Sequence, residues 1–268
     1  MKLICLNIWG GKIYEPLMKF VREQAESTDI FCFQEVFRSP REDVETSNGT
    51  RIHMLDEFAT ALPDFNYVFH PVISGVDNSG PVDFEIEMGQ AEFVKKSIPI
   101  VSSGEAPIYS PEDDGSFDTY EFMPRNLGYF RITRANKQLT LINIHGLTHK
   151  SDNKLDNPER LEQSRAIKEF AVQACLPAGR EKGDVIICGD FNILPEAESI
   201  ITFSDLFTDL IKKYGIQTTR SRISPWYGTP NEMKFSDYAF ASPGIEITDF
   251  KVPDVEISDH LPLIIEFR

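Results

Sequence analysis

Val185-Ile186-Ile187-Cys188-Gly189-Asp190-Phe191-Asn192 is the stretch that decides how this chain folds. Its first four residues are apolar and three are β-branched, the length and composition of a buried strand. Gly189 ends the run, and two polar side chains, Asp190 and Asn192, follow at once. Gly, Asp and Asn all favour turns, so the segment alone reads equally well as an ordinary turn. The pattern recurs, however. Asn7 follows Leu3–Leu6, Glu35 follows Ile30–Phe33 after one Gln, and His145 follows Leu139–Ile144. Polar groups placed where strands give out can share one edge of a sheet, where sites in α/β folds gather. Glu35 is the most telling, because a carboxylate after four apolar positions is costly to bury without a partner.

Two more acidic groups stand before a strand rather than after it. Asp237 precedes Tyr238–Ala241, and Ser258-Asp259-His260 precedes Leu261–Phe267. They reach the same edge only if their strands run antiparallel to the first set, so the sheets must be mixed. The rest of the chain suits an α/β arrangement. Helices are expected over Glu15–Ser27, Met54–Leu62 and Ser199–Lys213, and from Pro158 to Cys175, the last capped by Asp156 or Asn157. Further strands are expected at Lys2–Ile8, Tyr67–Ile73, Gln90–Lys95, Pro99–Tyr109 and Ile245–Val252. Leu127–Thr133 and Gln138–Ile144 form a hairpin around Ala135-Asn136-Lys137, and Ser110–Phe117 forms a loop. Neither repeat nor linker divides the sequence, which reads as one α/β domain over residues 1–268.

Composition narrows the function. With 41% apolar residues the 268-residue chain can build its own core. No run approaches the ~20 apolar residues that span a bilayer, and the start of the chain reads as a strand rather than a secretion signal, so a cytoplasmic protein without membrane insertion is expected. The four cysteines show neither Cys-x-x-Cys nor zinc spacing and read as reduced thiols. The formal charge of −15 is unevenly placed: Arg51–Pro124 holds three Lys and Arg against fourteen Asp and Glu, whereas the remainder to the end holds eighteen against twenty. No basic run offers the footprint of tight nucleic-acid binding, so a nucleic-acid substrate is not favoured, while a small phosphate ester is compatible.

Taken in order, Leu6-Asn7-Ile8, Gln34-Glu35-Val36, Asn143-Ile144-His145, Gly189-Asp190-Phe191-Asn192 and Ser258-Asp259-His260 resemble the motifs of the endonuclease/exonuclease/phosphatase superfamily, and Phe235-Ser236-Asp237-Tyr238 resembles its penultimate one. Its members include deoxyribonucleases, apurinic endonucleases, inositol polyphosphate phosphatases and sphingomyelinases. The resemblance implies a four-layer α/β/β/α sandwich of two packed mixed β-sheets flanked by helices, and a divalent-metal-dependent phosphoesterase. After Asn7 the chain reads Ile8-Trp9-Gly10-Gly11, without the second polar residue of the DNA-repair branch. It also carries His145 where that branch tends to have tyrosine, which points away from abasic-site cleavage.

Phosphoester hydrolysis needs charge neutralisation, an aligned water and help for the leaving oxygen. By this resemblance Glu35 is a hard oxygen ligand for Mg²⁺ or Mn²⁺, Asn7 supports that site, and Asp259 completes it or holds a second ion. His260 is the base and Asp237 orients it. Asp190 aligns the water or serves the leaving group, Asn192 donates to the phosphate, and His145, if protonated, donates to a phosphoryl oxygen. Outside the motifs, Arg125 and His149 are candidate substrate contacts. The alternatives are a nuclease of the same superfamily and a non-catalytic relative that keeps the fold. The second should have lost a ligand or the base, and none is missing. Gly-x-Ser-x-Gly is absent, and Gly10-Gly11-Lys12 is followed by isoleucine where a nucleotide-binding loop needs Ser or Thr.

Overall fold

The computed structural model describes residues 1–110, 124–134, 137–148, 154–175, 183–229 and 232–268. In chain order the strands are β1 (Lys2–Asn7), β2 (Ile30–Arg38), β3 (Thr46–Ser47), β4 (Thr50–Arg51), β5 (Phe65–Ser74), β6 (Val76–Asp77), β7 (Gly80–Pro81), β8 (Glu87–Lys95), β9 (Ile100–Tyr109), β10 (Arg125–Arg134), β11 (Lys137–His145), β12 (Asp184–Asp190), β13 (Thr208–Asp209), β14 (Asp237–Ala241), β15 (Ile247–Lys251) and β16 (Leu263–Phe267). The α-helices are α1 (Tyr14–Ala25), α2 (Met54–Ala61), α3 (Pro158–Cys175), α4 (Glu198–Ile201) and α5 (Leu210–Lys213). One six-stranded sheet has the order β15-β16-β1-β2-β8-β5, the other β13-β14-β12-β11-β10-β9.

Each sheet has a parallel pair at its centre, β1 with β2 and β11 with β12, and every other neighbour is antiparallel. Both sheets are thus mixed, as the positions of Asp237 and His260 required. Strand period explains the layers. In β1 and β2, Leu3, Cys5, Ile30 and Cys32 pack towards the second sheet, while Ile4, Leu6, Phe31 and Phe33 pack against Leu17, Val21, Met54 and Phe58 of α1 and α2. Ile167 and Ala171 of α3 join the core of the second sheet. Cys5, Cys32 and Cys188 are buried free thiols, and Cys175 is half-buried. Among the described residues no helix is long and apolar enough to cross a membrane.

Two expectations are refined. Asn157 caps α3, accepting from the Arg160 N–H at 2.8 Å, while Asp156 caps α4 through the Glu198 and Ser199 N–H groups at 2.7 and 2.9 Å. The helix expected over Ser199–Lys213 is a correction. It breaks into α4, a 3₁₀ turn at Thr202–Asp205, the edge strand β13 and α5. Thr208 and Asp209 pair with Ala241 and Phe240 of β14, and the Asp209 side chain then restarts a helix by accepting from Lys212 N–H at 3.0 Å. Phe203 stacks on Phe240 with ring centroids 4.8 Å apart, so tertiary packing overrides a helical apolar period. The hairpin of β10 and β11 is present, although Ala135 and Asn136, like residues 111–117 of the acidic loop, lie outside the described residues.

A polar network crosses the core between the sheets. Gln34 Nε2 donates to Asn143 Oδ1 at 2.5 Å, Asn143 Nδ2 donates to Glu92 Oε1 at 2.8 Å, and His70 Nε2 lies 3.3 Å from Glu92 Oε2. Burial alone would lower the His70 pKa, but the bond and charge of Glu92, with Glu105, raise it above its ordinary value. A raised imidazole pKa stabilises the fold below the unfolded value, and that contribution disappears as pH rises through the folded one. His70→Gln should therefore cost about 3 kcal/mol on the acid side, as one partner of a buried pair is lost. Urea unfolding should show the two proteins furthest apart below the ordinary imidazole pKa of about 6.5 and converging as pH rises above it; parallel stability curves would show that the pair contributes nothing.

Candidate active site

Asp190 is the last residue of β12, paired with His145 across the parallel ladder and with Asp237 across the antiparallel one. The glycine before it is a packing requirement. Gly189 has φ +144°, and a Cβ there would lie 2.1 Å from the Ile144 carbonyl oxygen. Asp190 Oδ1 accepts from the Asn192 N–H at 2.9 Å and from the Ser236 hydroxyl, and Oδ2 accepts from Asn7 Nδ2 at 3.0 Å. Burial opposes its ionisation, but His260, Arg220 and Lys154 together hold it far below the usual carboxylate range, so it is an anion at neutral pH.

Glu35 does not follow the end of its strand, as the apolar run Ile30–Phe33 suggested: β2 runs on to Arg38, and Glu35 reaches the site through an irregularity within it. Strict alternation in β2 would send it to the helix layer with Phe31 and Phe33. Instead the pairing with β8 slips between Phe33 and Val36, and Glu35 has φ +56°. A bulge of this kind re-aims one side chain. Its Oε1 accepts from Asn7 Nδ2 at 3.1 Å and lies 3.7 Å from His145 Nε2, and Oε2 accepts from Asn78 Nδ2 at 2.8 Å. Burial first, then the charges of Asp259 and Asp190, push the Glu35 pKa up. Asn7 is fixed in its amide orientation because Oδ1 accepts from the Trp9 N–H at 3.0 Å, leaving Nδ2 to clamp Glu35 and Asp190. In this state Asn7 faces the carboxylates as a donor.

His260 enters from the start of β16. The Ser258 hydroxyl donates to the Asn7 carbonyl at 2.7 Å and ties this segment to the end of β1. His260 Nδ1 lies 2.9 and 2.8 Å from the two carboxylate oxygens of Asp237, and Nε2 lies 3.6 Å from Asp190 Oδ2 and 3.7 Å from Asp259 Oδ1. Burial and Arg220 lower the His260 pKa, but Asp237, Asp259 and Asp190 outweigh them and raise it. Asp237, desolvated, is itself raised despite that partner. Asp190, Asp237 and His260 can bring one ligand atom each within 4.8 Å of one another, a grouping that can also hold a cation. The wider donor set fits a hard divalent ion: Glu35, Asp190 and Asp259 are oxygen donors whose like charges raise the pKa of Glu35.

Eight of the ten residues singled out in the sequence meet here. Asn192, at φ +56°, points Oδ1 at Lys154 Nζ at 2.8 Å and Nδ2 at the Gly146 carbonyl at 3.4 Å. His145 is buried, which pushes its pKa down to about 3 against the pull of Asp190. Burial thus favours its neutral form, in which one ring N–H remains a donor. Arg125 is wholly buried, and Nε donates to the Gly146 carbonyl at 3.4 Å, behind the turn that carries Asn192. His149 lies outside the described residues. Sequence reasoning passed over Arg220, Lys154 and Asn78, which belong to no motif and no apolar period. Ser236 was visible only as part of the Asp237 motif. Among the described residues, four of the five non-glycine positions with positive φ, Trp9, Glu35, Lys154 and Asn192, ring the site, the usual location of stored backbone strain.

A profile described as the Endonuclease/Exonuclease/phosphatase family matches residues 4–260. Among solved structures, a mannosyl-6-phosphatase of Bacteroides thetaiotaomicron superposes with TM-score 0.70 at 19% identity, covering 100% of this chain and 99% of its own. The catalytic domain of human Nocturnin, solved with a bound sulfate, gives 0.66 at 17% identity, with 100% and 94% covered. A humanized TDP2 of D. rerio gives 0.65 at 15%, with 100% and 98% covered. At these identities the likeness concerns the fold. No curated protein sequence gives a significant match. The profile match over nearly the whole chain and the order of its motifs show that the chain belongs to the endonuclease/exonuclease/phosphatase family, hydrolases that act on phosphate esters.

Proposed function

We propose that this protein is a Mg²⁺- or Mn²⁺-dependent phosphoesterase for small phosphate esters, acting as one catalytic unit. The observation that carries this reading is the Asp237–His260 pair, bonded at 2.8 Å with Nε2 facing Asp190 and Asp259. The net charge of −15 favours a small ester over a polyanionic strand. The mannosyl-6-phosphatase neighbour makes a sugar phosphate a reasonable first substrate.

Glu35 and Asp259, with Asp190 beside them, are the residues that would hold the metal, which would supply charge neutralisation at the phosphoryl oxygens. Asn7 keeps Glu35 and Asp190 in place. Asp237 accepts a hydrogen bond from the His260 Nδ1–H, which stays on the ring, so Nε2 carries the lone pair. Nε2 takes a proton from water as the water oxygen bonds to phosphorus. The bond to the leaving oxygen breaks, and the imidazolium returns its proton through solvent to that oxygen. Ester and water become alcohol and phosphate. Asp190, held anionic, is an acceptor that can align the water, and Asn192 Nδ2 can donate to a phosphoryl oxygen.

The test is a panel of sugar phosphates, nitrophenyl mono- and diesters, inositol phosphates, sphingomyelin, plasmid DNA and RNA, with and without metal. Activity should vanish on exhaustive chelation and return with Mg²⁺ or Mn²⁺. Full turnover in chelator would exclude the metal role, and exclusive cleavage of DNA or RNA would favour the nuclease reading.

A further inference from the structure

Arg220 stands outside every motif, yet its guanidinium sits at the centre of the site. Nη1 donates to Asp259 Oδ2 at 3.0 Å and lies 2.7 Å from His260 Nε2. Nη2 donates to Ser236 Oγ at 3.0 Å, and that hydroxyl donates on to Asp190. An isolated antiparallel bridge pairs the Arg220 and His260 backbones, fixing where the side chain starts relative to the imidazole. The residue is 8% exposed, and Nε has no acceptor among the described residues. A buried N–H without an acceptor is uncommon, and here it belongs to the side chain whose Nη1 meets the group assigned as the base.

Nε2 of His260 cannot accept a proton from water while Nη1 donates to it. The reaction proposed above therefore needs Nη1 to be drawn elsewhere. An anionic oxygen is a stronger acceptor for guanidinium than a neutral imidazole nitrogen, and two N–H groups can grip one phosphoryl group as a fork. Charge indicates which ester does this. Glu35, Asp190, Asp237 and Asp259 repel any phosphate, and a dianionic monoester more than a monoanionic diester. A fixed buried cation is thus worth most to the monoester, which also has three unesterified oxygens rather than two. We propose that Arg220 binds the phosphoryl oxygens of a phosphate monoester, releasing His260 Nε2 as it does so, and that this makes the site selective for terminal phosphate groups over diesters. The inference rests on the phosphoesterase reading.

The experiment compares wild type, Arg220→Lys and Arg220→Gln on nitrophenyl phosphate and bis-nitrophenyl phosphate with Mg²⁺, alongside calorimetric titration with inorganic phosphate. Wild type should prefer the monoester in kcat/KM. Arg220→Gln should lose roughly 10–100-fold on the monoester, the range of a lost charge-assisted hydrogen bond, and no more than a few-fold on the diester. Phosphate affinity should fall by a similar factor, and the lysine variant should fall between. Equal losses on both esters, unchanged phosphate affinity, or a wild type that cleaves the diester at least as well would each overturn the inference. The last readout needs no variant, so it decides even if the substitutions unfold the protein. If wild type cleaves neither ester nor any other in the panel, the phosphoesterase reading fails, and the phosphate titration still judges Arg220 as an anion contact.

Discussion

Changing His260 to Gln should lower turnover of the best phosphate ester by about 10²–10⁴-fold, the usual worth of a positioned general base. The expectation comes from geometry as much as from residue type. Asp237 takes Nδ1 at 2.8 Å, which commits Nε2 to the face shared by Asp190 and Asp259. Asp237→Asn should cause a loss of similar order, because an amide can offer its own N–H to Nδ1 and so favour the wrong tautomer. The two residues act as one unit, and the double variant should be little worse than His260→Gln alone. Initial rates of the two single variants and the double variant decide the matter. Losses that simply multiply would mean independent roles, and near wild-type turnover without His260 would move the base to Asp190.

Glu35→Gln should act differently, as a defect in metal affinity joined to one in rate. Glu35 is held by Asn7 and Asn78, and its charge is raised in energy by Asp259 and Asp190, so the carboxylate is poised for a cation. Loss of an outer partner of a metal ligand commonly costs 10–100-fold in affinity, and loss of the ligand itself should cost about that much or more. The metal concentration for half-maximal rate should rise accordingly, with partial recovery of rate at high Mg²⁺ or Mn²⁺. His260→Gln should show no such recovery. An unchanged metal dependence in the Glu35 variant would remove Glu35 from the metal site.

The sequence by itself determined the strands that end in Asn7, His145 and Asp190, and the demand that Asp237 and His260 arrive on antiparallel strands. Both follow from local rules: apolar runs mark buried strands, and the place of a polar residue before or after its strand fixes direction. Sequence was silent where the outcome depended on distant partners. Ile200, Phe203, Phe207 and Ile211 have a helical period, but pairing of Thr208 and Asp209 with β14 breaks the helix there. Asp156 and Asn157 looked interchangeable, and only the approach of α4 separated their caps. Alternation in β2 directs Glu35 at the helices, and it is the slipped pairing with β8 that turns it to the site. Arg220 had no signal at all, because its place beside His260 comes from a backbone bridge between segments forty residues apart. Periodicity reports which face of an element is buried; which charge meets which is set by register and by packing between the two sheets, and those arise only when the whole chain has folded.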